Sequence, residues 1–229
     1  VGITMPSQQS SQGFSLLEMT VVLLVLALLM GGMLMPLRTQ FEYQKQQQTA
    51  KSLTEIKEAL IGYAIIHGRL PCPTFITDPA HADFGVEATS CAAAVASDGY
   101  LPWKSLGVNE TDAWGIRQTA ASAGMVGYWR YRVDTKFSST FKFDTTFSSS
   151  ELRVIDNAGT RITTAAEAPM AVVYSTGKNL RADGENADYE ATGGVYQSDV
   201  QSKTFDDMLI WITRPLLMYR MVSAGKLPS

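Results

Sequence analysis

The stretch GFSLLEMTVVLLVLALLMGGMLMPL, from Gly13 to Leu37, contains one charged side chain, Glu18. From Phe14 onward it is about two dozen residues long, and roughly 20 apolar residues suffice for a helix to cross a bilayer. The spacing predicts a membrane-spanning helix over 14–37. A cleaved secretory signal has a shorter apolar region, about 7–15 residues, with its small-residue cut site behind it. Here the small residue, Gly13, comes first, so a cut after it would leave the hydrophobic helix on the mature chain. A plain membrane anchor is the remaining rival.

Glu18 separates these readings. A carboxylate in lipid costs on the order of a few kcal/mol even on the lenient insertion scale, so it needs headgroups or a cation. No Lys or Arg lies between Val1 and Leu37. Cleavage after Gly13 would create a cation, the free amine of Phe14. On its own helix that amine lies one turn from Glu18; offered by a neighbouring subunit, it could neutralise the carboxylate inside a bundle of helices.

Gly13-Phe14-Ser15-Leu16-Leu17-Glu18 resembles the processing motif of type IV prepilins and type II secretion pseudopilins: a glycine, a bulky apolar residue, then glutamate five places after the cut. The resemblance implies that a prepilin peptidase cuts after Gly13 and methylates the amine of Phe14, and that Glu18 governs subunit register and recruitment. Implied partners are other pilin or pseudopilin subunits, the peptidase, an assembly ATPase acting through an inner-membrane platform protein, and membrane lipid before assembly. The implied location is the bacterial inner membrane, single-pass, with a periplasmic head that later joins a filament. Residues 1–13 would be the leader. It departs from the family in carrying no Lys or Arg, and because the chain opens on Val1 the translation start is expected elsewhere. Orientation follows from the resemblance, since Arg38 lies on the far side of the span.

Beyond Leu37 the pattern changes. Leu53, Ile56, Leu60, Tyr63 and Ala64 recur at helical spacing, and Lys51 with Glu55 makes a favourable exposed pair. An amphipathic half-helix is expected over 38–67, reaching about Ile66 and closed by Gly68. Some fifty helical residues would extend roughly 80 Å. Gly31, Gly32 and Pro36 are weak points, where either a small kink or unwinding on filament packing, as in some type IV pili, is expected.

Residues 68–229 are expected to form the head, an antiparallel sheet against the helix, so the class is α+β, as in the pilin fold. Strands are predicted in VGYWRYRVD (126–134), ELRVI (151–155), RITT (161–164), MAVVYS (170–175) and DDMLIWIT (206–213), with Asp156-Asn157-Ala158-Gly159 as a turn. RPLLMYRMVSAG reads as a short helix with Pro215 in its first turn. The interval Thr135 to Ser150 reads as an exposed loop. Asp112-Ala113-Trp114-Gly115 is similar to the element joining helix to sheet in major pseudopilins; Trp114 is expected to plug the core and Asp112 to cap a turn. Cys72 and Cys91 are expected to be bonded, since the head faces an oxidising compartment. Closing a loop of about 20 residues would stabilise by roughly 3 kcal/mol. Two free thiols are the alternative, while a zinc role is disfavoured by the absence of a CxxC pair and by only two histidines, His67 and His81.

The loop STGKNLRADGENADYEATGG (175–194) gathers Asp183, Glu185, Asp188 and Glu190. Hard cations take oxygen ligands, and calcium would relieve the mutual repulsion of these carboxylates. The spacing is not that of an EF-hand. The loop resembles the calcium loop of major pseudopilins, which implies Asp183, Glu185 and Asp188 as ligands; a solvated acidic loop is the alternative.

Three functions are open. The first is a structural subunit of a pilus-like filament or of a secretion pseudopilus. The second is a filament-tip module capturing DNA or a receptor. The third is a membrane-anchored periplasmic hydrolase, for which no GxSxG, HExxH or Walker pattern is present. The net charge of -3 argues against nucleic acid, because phosphate neutralisation needs clustered Lys and Arg. The Asp-x-Trp-Gly and acidic-loop similarities lean toward a pseudopilin, and the chain's size suggests a minor or divergent one.

Overall fold

A computed structural model describes residues 13, 15–91, 98–120, 124–147, 152–189 and 193–226, without the side chains of 30–38. Two compact units divide it, Val1–Gln44 and Lys45–Ser229. One helix, α1 (Leu16–His67), runs through both. Ser15 starts it: its Oγ accepts the Leu17 N–H at 3.3 Å and its carbonyl accepts that of Met19 at 3.1 Å. Glu18 in the first turn suits the positive end of the helix dipole. Helical backbone continues through Gly31, Gly32 and Pro36. At the far end Gly68 takes φ +70°, a left-handed conformation that glycine adopts without penalty, and donates to the Ala64 carbonyl at 2.8 Å.

In the first unit the apolar side chains of α1 are exposed all round, from Leu16 (87%) through Leu28 (69%) and Leu29. Among the described residues no helix is long and apolar enough to cross a membrane. The expected span over 14–37 is therefore not shown, because its described side chains end at Leu29, short of the roughly 20 apolar residues a crossing needs.

The second unit is built on β4 (Pro169–Ser175), every residue of which is buried. Its run PMAVVYS is apolar without alternation because both faces are covered. Met170, Ala171 and Val173 join the cluster that contains Leu53, Ile56, Leu60 and Ala64 of α1. Val172 and Tyr174 join a second cluster with Leu152, Val154 and Tyr196. Antiparallel neighbours flank the strand, β2 (Arg130–Val133) and β6 (Met208–Thr213), and a two-residue β1 (Gly99–Tyr100) pairs with β2. The order is β1-β2-β4-β6. The helix α3 (Arg214–Ser223) follows β6, with Pro215 in its first turn as expected. The molecule is thus α+β, a long N-terminal helix with an antiparallel sheet.

Four expectations need correction. A second sheet is present, β3 (Arg153–Ile155) with β5 (Val195–Gln197), and it is parallel. RITT forms no strand; only Arg161 bridges, to Ile155, across the expected turn. The interval from Thr135 is irregular but not exposed through its length, since Phe137 and Phe141 are fully buried edge to face; 148–151 lie outside the described residues. Trp114 is half-buried and belongs to no core cluster. The buried tryptophans are Trp103 and Trp129, the latter directly before β2, with its indole N–H donating to the Asn109 carbonyl at 3.0 Å. Asp112 does cap the turn, accepting the Trp114 N–H at 2.9 Å, and its other oxygen accepts from Ser175 Oγ at 2.6 Å.

Two polar devices hold the unit together. Asp98, 4% exposed, accepts from Tyr174 of β4 at 2.8 Å and Tyr196 of β5 at 2.5 Å, so one buried carboxylate ties the two sheets. The Cys72–Cys91 disulfide, with Cα atoms 5.1 Å apart, closes the loop after α1. Glu87 fixes that loop. It accepts from Tyr63 of α1 (2.6 Å), from both terminal nitrogens of Arg69 (2.8 and 3.0 Å) and from the Cys72 N–H (3.2 Å). Its own N–H donates to Ser105 Oγ of the one-turn helix α2 (Trp103–Leu106) at 3.0 Å. Burial and this carboxylate push the Tyr63 hydroxyl up to about 12. Burial alone would raise Glu87, but hydrogen bonds from Arg69 and Tyr63 and the Arg69 charge outweigh it and hold the carboxyl below its ordinary range.

Replacing Cys72 by serine should lower stability by roughly 3 kcal/mol for a loop of this length, read as a lower guanidinium midpoint in detergent-solubilised chain. Glu87 adds a pH signature. Its folded pKa is depressed, so its contribution is present above the ordinary glutamate value of 4.5 and is lost as the pH falls through the depressed one. Glu87→Gln should flatten the acid limb of the melting-temperature profile below pH 4.5; an unchanged limb would assign it to other carboxylates.

Candidate functional site

Two places carry chemistry, one in each unit. The first is the start of α1. Gly13 is exposed, and a Cβ built on it would meet nothing within 4 Å. Phe14, the expected new N-terminus, lies outside the described residues. Glu18 is exposed and makes no ion pair among the described residues, amid Leu16, Leu17, Met19, Val21 and Val22, all exposed as well. A helix apolar on every side is not stable in water and must be covered by lipid or other helices. A lone carboxylate on such a surface then has to find its cation in whatever covers it.

The second is the loop between β4 and β6. Asp183 precedes a short 3-10 turn, Gly184–Asp188, and Asp206 and Asp207 directly precede β6. One carboxylate oxygen from each of Asp183, Asp206 and Asp207 lies within 4.8 Å of the others. The loop is drawn in by its own backbone: Asp207 Oδ2 accepts the Asp183 N–H at 2.9 Å, and Asp183 Oδ2 accepts the Asp206 N–H at 2.9 Å. Asn186, fully buried, pins the turn to β5 by exchanging two hydrogen bonds with the Gln197 main chain (2.9 and 3.1 Å), and donates to Asp207 Oδ2 at 2.9 Å. Asn179 donates to both oxygens of Asp183 at 3.0 Å. Two glycines make room. A Cβ on Gly177 (φ +62°) would lie 2.3 Å from Asp206 Oδ1, and one on Gly184 (φ +56°) 2.1 Å from Gln197 Oε1.

These contacts leave a deficit. Asp207 is 4% exposed, yet its Oδ1 has no hydrogen-bond partner, and Asp206 Oδ1 is likewise buried and unpartnered. Burial pushes Asp207 up to about 7, the charges of Asp183 and Asp206 adding to it against the hydrogen bonds from Asp183 and Asn186. Burial raises Asp206 too. Three carboxylates within 4.8 Å of one another, two of them with a buried oxygen that has no hydrogen-bond partner, suit a hard cation, which would supply the missing positive charge.

Of the expected ligands, only Asp183 belongs to this group. Glu185 and Asp188 are exposed and stand outside it, and Glu190 lies outside the described residues. What sequence reasoning missed was Asp206-Asp207, two charges set against the apolar strand MLIWIT, where neither can sit unpaired without cost.

A family model for the prokaryotic N-terminal methylation motif matches residues 8–34. No curated protein and no solved structure matches the chain. The matched segment covers Gly13, Phe14 and Glu18 and ends before the head. The chain carries the prokaryotic N-terminal methylation motif, the signature of type IV pilins and pseudopilins, and with it the implication of assembly with other pilin subunits.

Proposed function

We propose that the chain is a structural subunit of a type IV pilus-like filament or of a type II secretion pseudopilus, made as a precursor and cut after Gly13 by a prepilin peptidase. The observation that carries this is Glu18: one carboxylate on an exposed apolar helix, within the matched motif, with no cation nearby in sequence. The cut supplies the amine of Phe14. Until assembly the apolar half of α1 lies in the inner membrane, where the whole run 14–37 meets the length a crossing needs. In the filament, neighbouring helices replace lipid and the Phe14 amine of one subunit faces Glu18 of another.

Mass spectrometry of chain recovered from cells containing the peptidase should find Phe14 as an N-methylated first residue; an intact leader would defeat the proposal. Glu18→Ala should leave the head folded and abolish incorporation into filaments, scored by sheared-filament immunoblot, whereas unaltered incorporation would remove its physical basis.

The acidic cluster favours the pseudopilus over the pilus, as a calcium-held loop of the kind the sequence resembles. Asp183, Asp206 and Asp207 would hold the ion, which supplies charge and geometry to the loop rather than any reaction. In calcium-stripped chain, adding the ion at about a hundred times its dissociation constant should stabilise by roughly 2.7 kcal/mol. Asp207→Asn and Asp183→Asn should abolish that thermal shift, and Glu185→Gln should keep it. A melting temperature indifferent to calcium would leave the loop a solvated acidic turn.

A further inference from the structure

The apolar run of α1 ends at Leu37, and the sequence that follows, RTQFEYQKQQQ (38–48), has a different character. Two aromatic residues stand between a hydrocarbon-like stretch and a glutamine-rich one. Phe41 and Tyr43 are 61% and 60% exposed, within continuous helix. Rings of this size carry a large apolar area, and leaving two of them in water is unfavourable. Their geometry says what kind of neighbour covers them. Successive residues of an α-helix turn by about 100°, so the two rings project about 200° apart, on opposite sides of the rod. A groove laid along one face of α1 would take one ring and leave the other. A layer that surrounds the helix takes both, because they differ by only about 3 Å along the axis.

We infer that Phe41 and Tyr43 form an aromatic collar that binds the phospholipid headgroup layer where α1 leaves the bilayer, and that the collar fixes how deep the helix sits. Position along the helix supports this. Both residues lie roughly 40 Å along α1 from Leu16, while a bilayer is about 30 Å thick in its hydrocarbon and about 40–45 Å with its headgroups. A crossing that enters at Leu16 brings both rings to the opposite headgroup layer. That layer suits a flat apolar body, and it offers polar partners to the Tyr43 hydroxyl. Charge agrees with the placement. Arg38 and Lys45 flank the pair and Glu42 is the one acid between them, a net positive segment beside lipid phosphates. The inference rests on the membrane reading of 14–37 and adds the residues that set its far boundary.

Spin labels read the depth directly, because the chain's two cysteines are bonded to each other and a single new thiol is labelled alone. The sample is full-length chain in vesicles of phosphatidylcholine and phosphatidylglycerol. Labels at Phe41→Cys and Tyr43→Cys should collide with a water-soluble nickel chelate about three-fold less often than one at Gln48→Cys, and about three-fold more often than one at Leu24→Cys. Rates at 41 and 43 equal to that at 48 would overturn the inference and leave the span in place, whereas a water-like rate at 24 as well would overturn both. The hold on depth has its own reading. With the label at Leu37→Cys, adding Phe41→Ser and Tyr43→Ser should change the collision rate about two-fold, and Phe41→Trp with Tyr43→Trp should keep the parent rate. A label unmoved by the serines would overturn the inference. So would shielding of 41 and 43 that arises only at high protein-to-lipid ratio, since a second copy would then be the cover.

Discussion

A strand buried on both faces organises the Lys45–Ser229 unit. Ala171 and Val173 of β4 face the amphipathic part of α1, while Val172 and Tyr174 face the small parallel sheet. Removing this much apolar surface from water at about 25 cal/mol per Å² dominates the favourable side of folding. Everything polar in the unit is arranged around that fact. Asp98 can be buried because two tyrosines, one from each sheet, donate to it. The loop after α1 can be irregular because Glu87 and the disulfide satisfy and close it.

The Val1–Gln44 unit obeys the opposite logic. Among the described residues its helix leaves leucine and valine side chains exposed, from Leu16 to Leu29. Such a surface is completed only by other molecules, and Glu18 is the one carboxylate within its apolar run. The chain therefore combines a head that is stable through its own core with a helix whose stability is supplied from outside.

The acidic cluster abuts β6, since Asp206 and Asp207 directly precede the strand. A loop that brings three carboxylates within 4.8 Å does so at the cost of two orphaned buried oxygens. Strand β6 starts where it does because the backbone of Asp183 and Asp206 lace the loop to it.

Much was legible from local pattern. The limits of α1 follow from the 3.6-residue spacing of Leu53, Ile56, Leu60 and Ala64 and from Gly68, which takes the left-handed conformation that ends a helix. MAVVYS and MLIWIT read as strands because continuous apolar runs of that length have few other uses. The motif around Glu18 was readable because a charge in an apolar run is conspicuous by composition alone. What only the tertiary structure decided depends on residues distant in sequence. Trp129 rather than Trp114 fills the core, Phe137 and Phe141 turn inward from a polar stretch, and β3 pairs parallel with β5 some forty residues on. Asp183 meets Asp206 and Asp207 rather than Glu185 and Asp188, because backbone hydrogen bonds across the loop choose partners that spacing along the chain cannot reveal. Periodicity reports which side of an element is buried; it carries no information about what lies on the other side.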